Sequence, residues 1–354
     1  MSYELNDRIK NLTPYEPIIG DYKIRLDANE SFISLSREMI HKIMLASLDV
    51  EINRYPDPYA TELLKCFGRF YGISHDYITA GNGSDELISL IVSTFFLEDE
   101  ELITLAHDFS MYRFYGDTFG TKTSIYPKNE DLTMDIDGLI YYANSSKAKG
   151  IIFSNPCNPT SICLKKEEVL RLVQSVDCLV IVDEAYMDFG DESVLKCACD
   201  YDNLIILKTC SKALGLAGIR LGFAIANKTI TKALRSVKSP YNVNGLTQSL
   251  ATVVLSEQDY LNSSIEKIIR ARDYLYSGIL SLYARYNVFD TVYKTSTNFV
   301  FIKTKFAKKL FDELLNRSIA IRYMGDYLRI TAGEKWENEM VLDAIQDIIK
   351  DLEG

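Results

Sequence analysis

The sequence predicts an α/β protein: a large unit on a mostly parallel sheet, followed by a smaller α+β unit. Three observations predict it. Short apolar runs alternate with helix-patterned stretches through the middle of the chain. Those runs are near-continuous Ile, Val and Leu, the pattern of strands buried on both faces. After Gly245 the pattern changes to long helices and then a second, shorter β/α set. Strand signals alternating with helix signals are how a parallel sheet with crossover helices reads. A chain of 354 residues also exceeds what one hydrophobic core usually organises.

The strand runs, in order, are 77-YITA-80, 101-ELITLA-106, 150-GIIFSN-155, 178-CLVIVDE-184, 203-NLIILK-208 and 221-LGFAIA-226. Helical patterns lie between them over 84–96, 109–119 and 165–176. A long helical region follows from about 246 to 286, with one or more breaks expected. The smaller unit then reads as 298-NFVFIK-303, a helix over 306–318, 319-IAIRY-323, 327-YLRIT-331 and a last helix from about Glu337. The expected division is an N-terminal segment, 1–45, packed on the small unit, a large unit over 46–255, and a small unit over 256–354.

Composition excludes several function classes. The chain is 47% apolar and 25% charged, ordinary for a globular protein, and its net charge is -10. Nucleic acid and anionic membranes both reward a basic face, so neither is an expected partner. The start, MSYELNDRIKNL, has no apolar signal core, and the apolar run Leu87–Leu97 is too short to span a bilayer. A cytoplasmic protein is expected. Seven cysteines without a CxxC pair suggest reduced thiols. The histidines, His41, His75 and His107, do not stand at metal-ligand spacing, so no metal site is expected.

Ligands of open α/β sheets bind beyond the carboxyl ends of the strands. After YITA comes 81-GNGSDEL, a glycine turn that opens a helix at Ser84 and Asp85. Helix-start N–H groups favour an anion there. After GIIFSN comes 155-NPCNPTS, a rigid polar turn. CLVIVDEAY ends in Asp183, Glu184 and Tyr186, and a carboxylate at the end of a buried strand is costly unless paired. After LIIL comes LKTCSKALGLAGIRLG, with Thr209, Ser211 and Lys212, then Arg220. A lysine near other cations in a dry pocket has a lowered pKa, which frees its amine as a nucleophile. Each feature alone is a weak signal, and the glycine turn and the Asn-Pro loop alone are better read as a plain cap and a structural turn. Together they supply what pyridoxal 5′-phosphate (PLP) needs: an amine for its aldehyde, a carboxylate for its protonated ring nitrogen, and hydroxyls, an arginine and a helix start for its phosphate.

The chain resembles the fold-type I PLP-dependent aminotransferases, and among them the histidinol-phosphate aminotransferase group. The matching stretches run nearly end to end: 14-PYEP, 26-LDANES, 54-RYPDP, 81-GNGSDE, 155-NPCNPT, 183-DEAYMDF, 211-SKALGLAGIRLG, 239-SPYNVN, 297-TNFV and 328-LRITAG. The resemblance implies a large PLP-binding domain with a mostly parallel seven-stranded sheet and a smaller α+β domain. It makes Lys212 the residue that binds the cofactor covalently and moves the substrate proton. Asp183 resembles the ring-nitrogen partner. Tyr186 and Asn158 resemble the groups that bond the ring oxygen. Ser84, Asp85, Thr209, Ser211 and Arg220 resemble the phosphate cup. Tyr55 resembles a residue reaching the phosphate from a neighbouring subunit, which implies a homodimer with shared sites. Arg329 resembles the α-carboxylate clamp and Arg322 the second substrate arginine, for the phosphate of histidinol phosphate or the side chain of glutamate. Asn29, Tyr15, Tyr241 and Asn242 resemble substrate-pocket residues.

Three departures stand out. The stretch that carries the ring-stacking aromatic reads 107-HDFSMY, which places Phe109 on the ring. Ser161 stands where glycine usually follows Asn-Pro-Thr. Only 323-YMGDYL separates Arg322 from Arg329, which shortens part of the substrate pocket. The implied activity is transfer of an amino group between L-histidinol phosphate and 2-oxoglutarate. Within the same chemistry, a threonine-phosphate decarboxylase or an aromatic or broad-range aminotransferase is the alternative.

Overall fold

The computed structural model describes residues 3–353 except 11 and 15. From the N-terminus it begins with α1 (Asp7–Lys10), β1 (Ile24–Leu26), α2 (Arg37–Leu48) and α3 (Thr61–Tyr71). A seven-stranded sheet follows, made of β2 (Ile78–Gly81), β3 (Glu101–Leu105), β4 (Lys122–Tyr126), β5 (Gly150–Ser154), β6 (Leu179–Asp183), β7 (Leu204–Thr209) and β8 (Gly222–Ile225). Its spatial order is β2-β8-β7-β6-β5-β3-β4. All pairs are parallel except those of β8 with β2 and β7. Helices α4 (Ser84–Phe95), α5 (Met111–Phe119), α6 (Ile136–Ser146), α7 (Lys166–Ser175) and α8 (Lys228–Val237) join or flank these strands.

The apolar runs explain the layering. Successive side chains of a strand point to opposite faces. Ile151, Val180 and Ile206 pack into one cluster, while their neighbours Ile152, Ile181 and Ile205 pack into another on the far face. With both faces covered by helices, the strands need apolar residues at every position. β4 is different. Its sequence, KTSIY, has a single aliphatic residue and is at most half-buried throughout, on an edge of the sheet. No apolar run marks it, and the sequence reading of strands passes over it.

The helical region after Gly245 contains α9 (Gly245–Ser256) and α10 (Gln258–Arg285), with the expected break at Glu257. α10 spans both parts of the molecule. Its Leu261 packs in the core of the larger sheet, and its Leu275 and Ile279 pack in the core of the smaller one. Beyond it lie β9 (Thr291–Val292), β10 (Phe299–Lys303), α11 (Ala307–Asn316), β11 (Ile319–Met324), β12 (Tyr327–Thr331) and α12 (Lys335–Glu353). The smaller sheet has the order β1-β11-β12-β10-β9. The N-terminal segment thus lends it an edge strand, Ile24 pairing in parallel with Ile319. The same segment also touches the larger part, where Arg8 Nη2 meets Glu98 Oε1 at 2.8 Å. Among the described residues no helix is long and apolar enough to cross a membrane.

Candidate active site

A cleft of about 590 Å³ opens at the carboxyl ends of β5, β6 and β7. Most of the residues singled out in the sequence line it: Asn29, Ser84, Asp85, Phe109, Asn158, Asp183, Tyr186, Thr209, Ser211, Lys212, Arg220, Arg322 and Arg329. Tyr15 lies outside the described residues. Tyr55, Tyr241 and Asn242 are not in the cleft wall. Tyr55 is 81% exposed and stacks on Tyr241, with ring centres 4.6 Å apart. Asn242 is held elsewhere: its amide donates to Ala80 O at 3.2 Å and Glu86 Oε2 at 2.8 Å and accepts from Lys238 Nζ at 2.9 Å.

At the floor, β6 ends in Asp183, which is 4% exposed. Its carboxylate accepts from the Tyr112 hydroxyl at 2.9 Å and the Ala185 amide at 3.0 Å. Burial pushes its pKa up to about 7 against these two hydrogen bonds. Among the described residues no cation forms an ion pair with it. A buried, hydrogen-bonded carboxylate without a cation is a receptor for a cationic ligand atom.

Lys212 follows β7 and lines the cleft, where its amine donates to Ala28 O at 3.1 Å. Burial, and next the charge of Arg329, lower its pKa to about 8, with Glu30 pushing the other way. An amine so placed has a sizeable neutral fraction near neutral pH and is nucleophilic. Lys208 has a different fate. It is 2% exposed, bound to Asp188 Oδ1 at 2.9 Å, with its amine 4.9 Å from the Tyr71 ring centre. It is a core ion pair.

Opposite the floor, Tyr186 accepts at its hydroxyl from Asn29 Nδ2 at 2.8 Å. Asn158 Oδ1 accepts from Arg329 Nη1 at 2.7 Å, and Arg329 Nη2 donates to Asp27 O at 2.7 Å. Arg329 on β12 pairs directly with Arg322 on β11 in an antiparallel register. Directly opposed residues share a sheet face, and like charges there repel. Two guanidinium groups so placed suit an anionic ligand with two separate negative ends.

The remaining wall is built for a phosphate-sized anion. The start of α4 is capped by Gly83 (φ 86°), which offers no side-chain acceptor to the first N–H groups. Gly222 lets β8 press against this turn, since a Cβ there would stand 2.5 Å from Ser84 N. Thr209 Oγ1 donates to Ser211 Oγ at 3.0 Å, and half-exposed Arg220 reaches Asp85 Oδ2 at 3.2 Å. An uncapped helix start, hydroxyls and an arginine form an anion site. Phosphate, protonated ring nitrogen and aldehyde thus each find a suitable group, and the cleft fits PLP.

Three further residues shape the cleft and were missed in the sequence: Tyr112, Asp108 and Ser154. Tyr112 stands one helical turn after Phe109 and packs edge-on against it at 5.5 Å, a spacing that could have flagged it. Asp108 accepts from the Phe109 amide at 2.7 Å and from the Ser154 hydroxyl and amide. Burial pushes its carboxyl up. All seven cysteines are free, and burial pushes the Cys157 and Cys210 thiols up, toward the neutral, packed form.

Fold and cleft together define the class: a fold-type I enzyme site centred on a half-buried lysine and a buried carboxylate. The sequence matches the aminotransferase class I and II family over residues 21–345, and the chain belongs to that family. It is 40% identical to the histidinol-phosphate aminotransferase of Clostridium novyi over 343 residues, covering 96% of this chain and 95% of that one. It is 39% identical to the histidinol-phosphate aminotransferase of Clostridium kluyveri, covering 97% of each. The fold superposes on the crystal structure of histidinol-phosphate aminotransferase from Sinorhizobium meliloti in complex with PLP, with a TM-score of 0.88 at 23% identity and 98% coverage of both chains.

Proposed function

We propose that this protein is a cytoplasmic, PLP-dependent histidinol-phosphate:2-oxoglutarate aminotransferase that works as a homodimer. The observation that carries the reading is the meeting, in one cleft, of an amine lowered to about 8 with a carboxyl raised to about 7, beneath a facing pair of arginines. The names of the full-length relatives supply the donor.

Bound in the cleft, PLP supplies an electron sink for the substrate α-carbon. The chain supplies the rest. Lys212 is the residue that would hold the cofactor through its aldehyde, and its amine would move the substrate α-proton. Asp183 holds the ring nitrogen protonated, and Tyr112 orients Asp183. Tyr186 and Asn158 stand by the ring oxygen. The Asn158 oxygen is already taken by Arg329, so it is the amide nitrogen that would donate. Phe109, in the cleft wall, would pack against the cofactor ring. Ser84, Asp85, Thr209, Ser211 and Arg220 hold the phosphate, Asp85 through its N–H because its carboxylate faces Arg220. Arg329 holds the α-carboxylate of glutamate, and Arg322 takes the second negative end, the phosphate of one substrate or the distal carboxylate of the other. Asn29 orients Tyr186. The two substrates use the same site in turn, glutamate giving its amine and imidazole-acetol phosphate receiving it. Residues 46–255 carry the cofactor in this reading, and 256–354 carry the substrate arginines.

Exposed apolar residues support the dimer. Leu48, Ile52 and Tyr55 are 80%, 82% and 81% exposed. Tyr55 lies outside the cleft of its own chain, where it can serve the phosphate site of a partner.

The test mixes purified protein and PLP with L-histidinol phosphate and 2-oxoglutarate and measures glutamate. Borohydride reduction and peptide mapping should place the cofactor on Lys212. Glutamate formed only from aromatic amino acids rejects the donor assignment, and carbon dioxide released from threonine phosphate replaces the reaction type. Mixing a Lys212→Ala protein with a Tyr55→Ala protein should restore activity if sites are shared across a dimer.

A further inference from the structure

Ser161 is fully buried and holds a left-handed backbone, φ 63°, a conformation that costs a non-glycine residue energy. Glycine would hold it without cost, so the serine side chain needs a reason. Its hydroxyl donates to Thr295 Oγ1 at 3.1 Å, shares a 2.7 Å hydrogen bond with Thr297 Oγ1, and accepts from the Ser296 amide at 3.0 Å. The Ser296 amide also reaches Ser161 O at 3.3 Å. These partners lie more than 130 positions further along the chain, in the segment that leads into β10. β10 pairs with β12, which carries Arg329. The loop that ends at Ser161 carries Asn158, the 2.7 Å partner of Arg329.

We propose that Ser161 is a positioning residue whose hydroxyl ties the 155–161 loop to residues 295–297 and so sets where Arg329 stands relative to Asn158 and Lys212. Two links then join the cofactor loop to the smaller sheet, one from the middle of the loop at Asn158 and one from its end at Ser161. The Asn158–Arg329 link breaks or tilts whenever a carboxylate competes for the guanidinium. The Ser161 link involves no substrate-binding group and keeps the spacing constant while that exchange occurs. Serine suits the task because its hydroxyl both donates and accepts, and the buried Thr297 hydroxyl would otherwise lose a partner.

The consequence for substrate rests on Arg329 as the carboxylate clamp, whereas the tie itself does not. Three variants separate the two: Ser161→Gly, Ser161→Ala and Thr297→Val. Glycine removes the hydroxyl and relieves the backbone. Alanine removes the hydroxyl and keeps the strain. All three should raise KM for 2-oxoglutarate about tenfold, the loss expected of one buried hydrogen bond, with kcat within about twofold. The double variant Ser161→Ala/Thr297→Val should be no worse than either single change. In the cofactor-free protein, amide exchange at Ser296 should quicken in both Ser161 variants, which remove its hydroxyl acceptor, a readout that holds whatever the amino donor proves to be. Unchanged exchange at Ser296 overturns the tie. A KM that follows melting temperature, with Ser161→Gly like the parent and Ser161→Ala impaired, overturns the positioning role and leaves only backbone strain.

Discussion

Tyr112 donates its hydroxyl to Asp183 Oδ2 across 2.9 Å at the floor of the cleft. This hydrogen bond favours the ionised carboxylate, against a burial that disfavours it. Tyr112→Phe keeps the ring and its packing and removes the donor. A hydrogen bond to a charged group contributes about 1.5–3 kcal/mol, so PLP should bind roughly ten- to a hundredfold more weakly at pH 7. The Asp183 carboxyl should move higher still, so the defect should shrink at pH 9, where the carboxylate forms regardless. Cofactor titration of parent and variant across that range checks both statements.

The cofactor-free protein should be least stable near pH 7–8 as far as its two central groups decide. Asp183 has a folded pKa of about 7 against an ordinary 3.8. Between those values only the folded state holds the proton, so stability falls as pH rises through that window. Lys212 has a folded pKa of about 8 against an ordinary 10.5. Between those values only the unfolded state holds the proton, so stability climbs as pH rises. Both groups are charged between the two windows. PLP should therefore raise the melting temperature most at pH 7–8, and Asp183→Asn should stabilise the cofactor-free protein there. Calorimetry from pH 5 to 10 with and without PLP measures it.

Lys208→Met should cost stability and leave the labelling site alone. It strands Asp188 in the core, 9% exposed at its side chain, and breaking a buried pair from one side costs about 3–5 kcal/mol. Denaturant unfolding gives the loss. Borohydride should still mark Lys212 alone. Label lost with Lys208→Met in folded protein would contradict the separation of the two lysines.

Asn242→Ala should leave KM for both substrates within about twofold and cost about 1–3 kcal/mol of stability, since its bonds to Ala80 O and Glu86 are structural. A large rise in KM without loss of stability would return Asn242 to the substrate pocket.

Local sequence carried much of this protein. Near-continuous aliphatic runs placed β3, β5, β6 and β7, because a strand covered on both faces must be apolar at every position. Asp183 and Lys212 were visible because each follows such a run, where open α/β sheets bind ligands. The half-exposed edge strand β4 has no such constraint and left no signal. What required the tertiary structure was direction and partnership. Lys208 and Lys212 stand four positions apart, yet one is locked on Asp188 in the core and the other lines the cleft. Tyr112 and Asp183, or Ser161 and Thr297, are remote in sequence and meet only when strands and loops are packed. Arg322 and Arg329 were named from the sequence, but hairpin register alone sets them face to face. Sequence determined the chemistry available, since residue type and local periodicity are local properties. Packing decided which groups are buried, paired or left facing the cleft, since burial and hydrogen bonding depend on neighbours that the chain brings from far away.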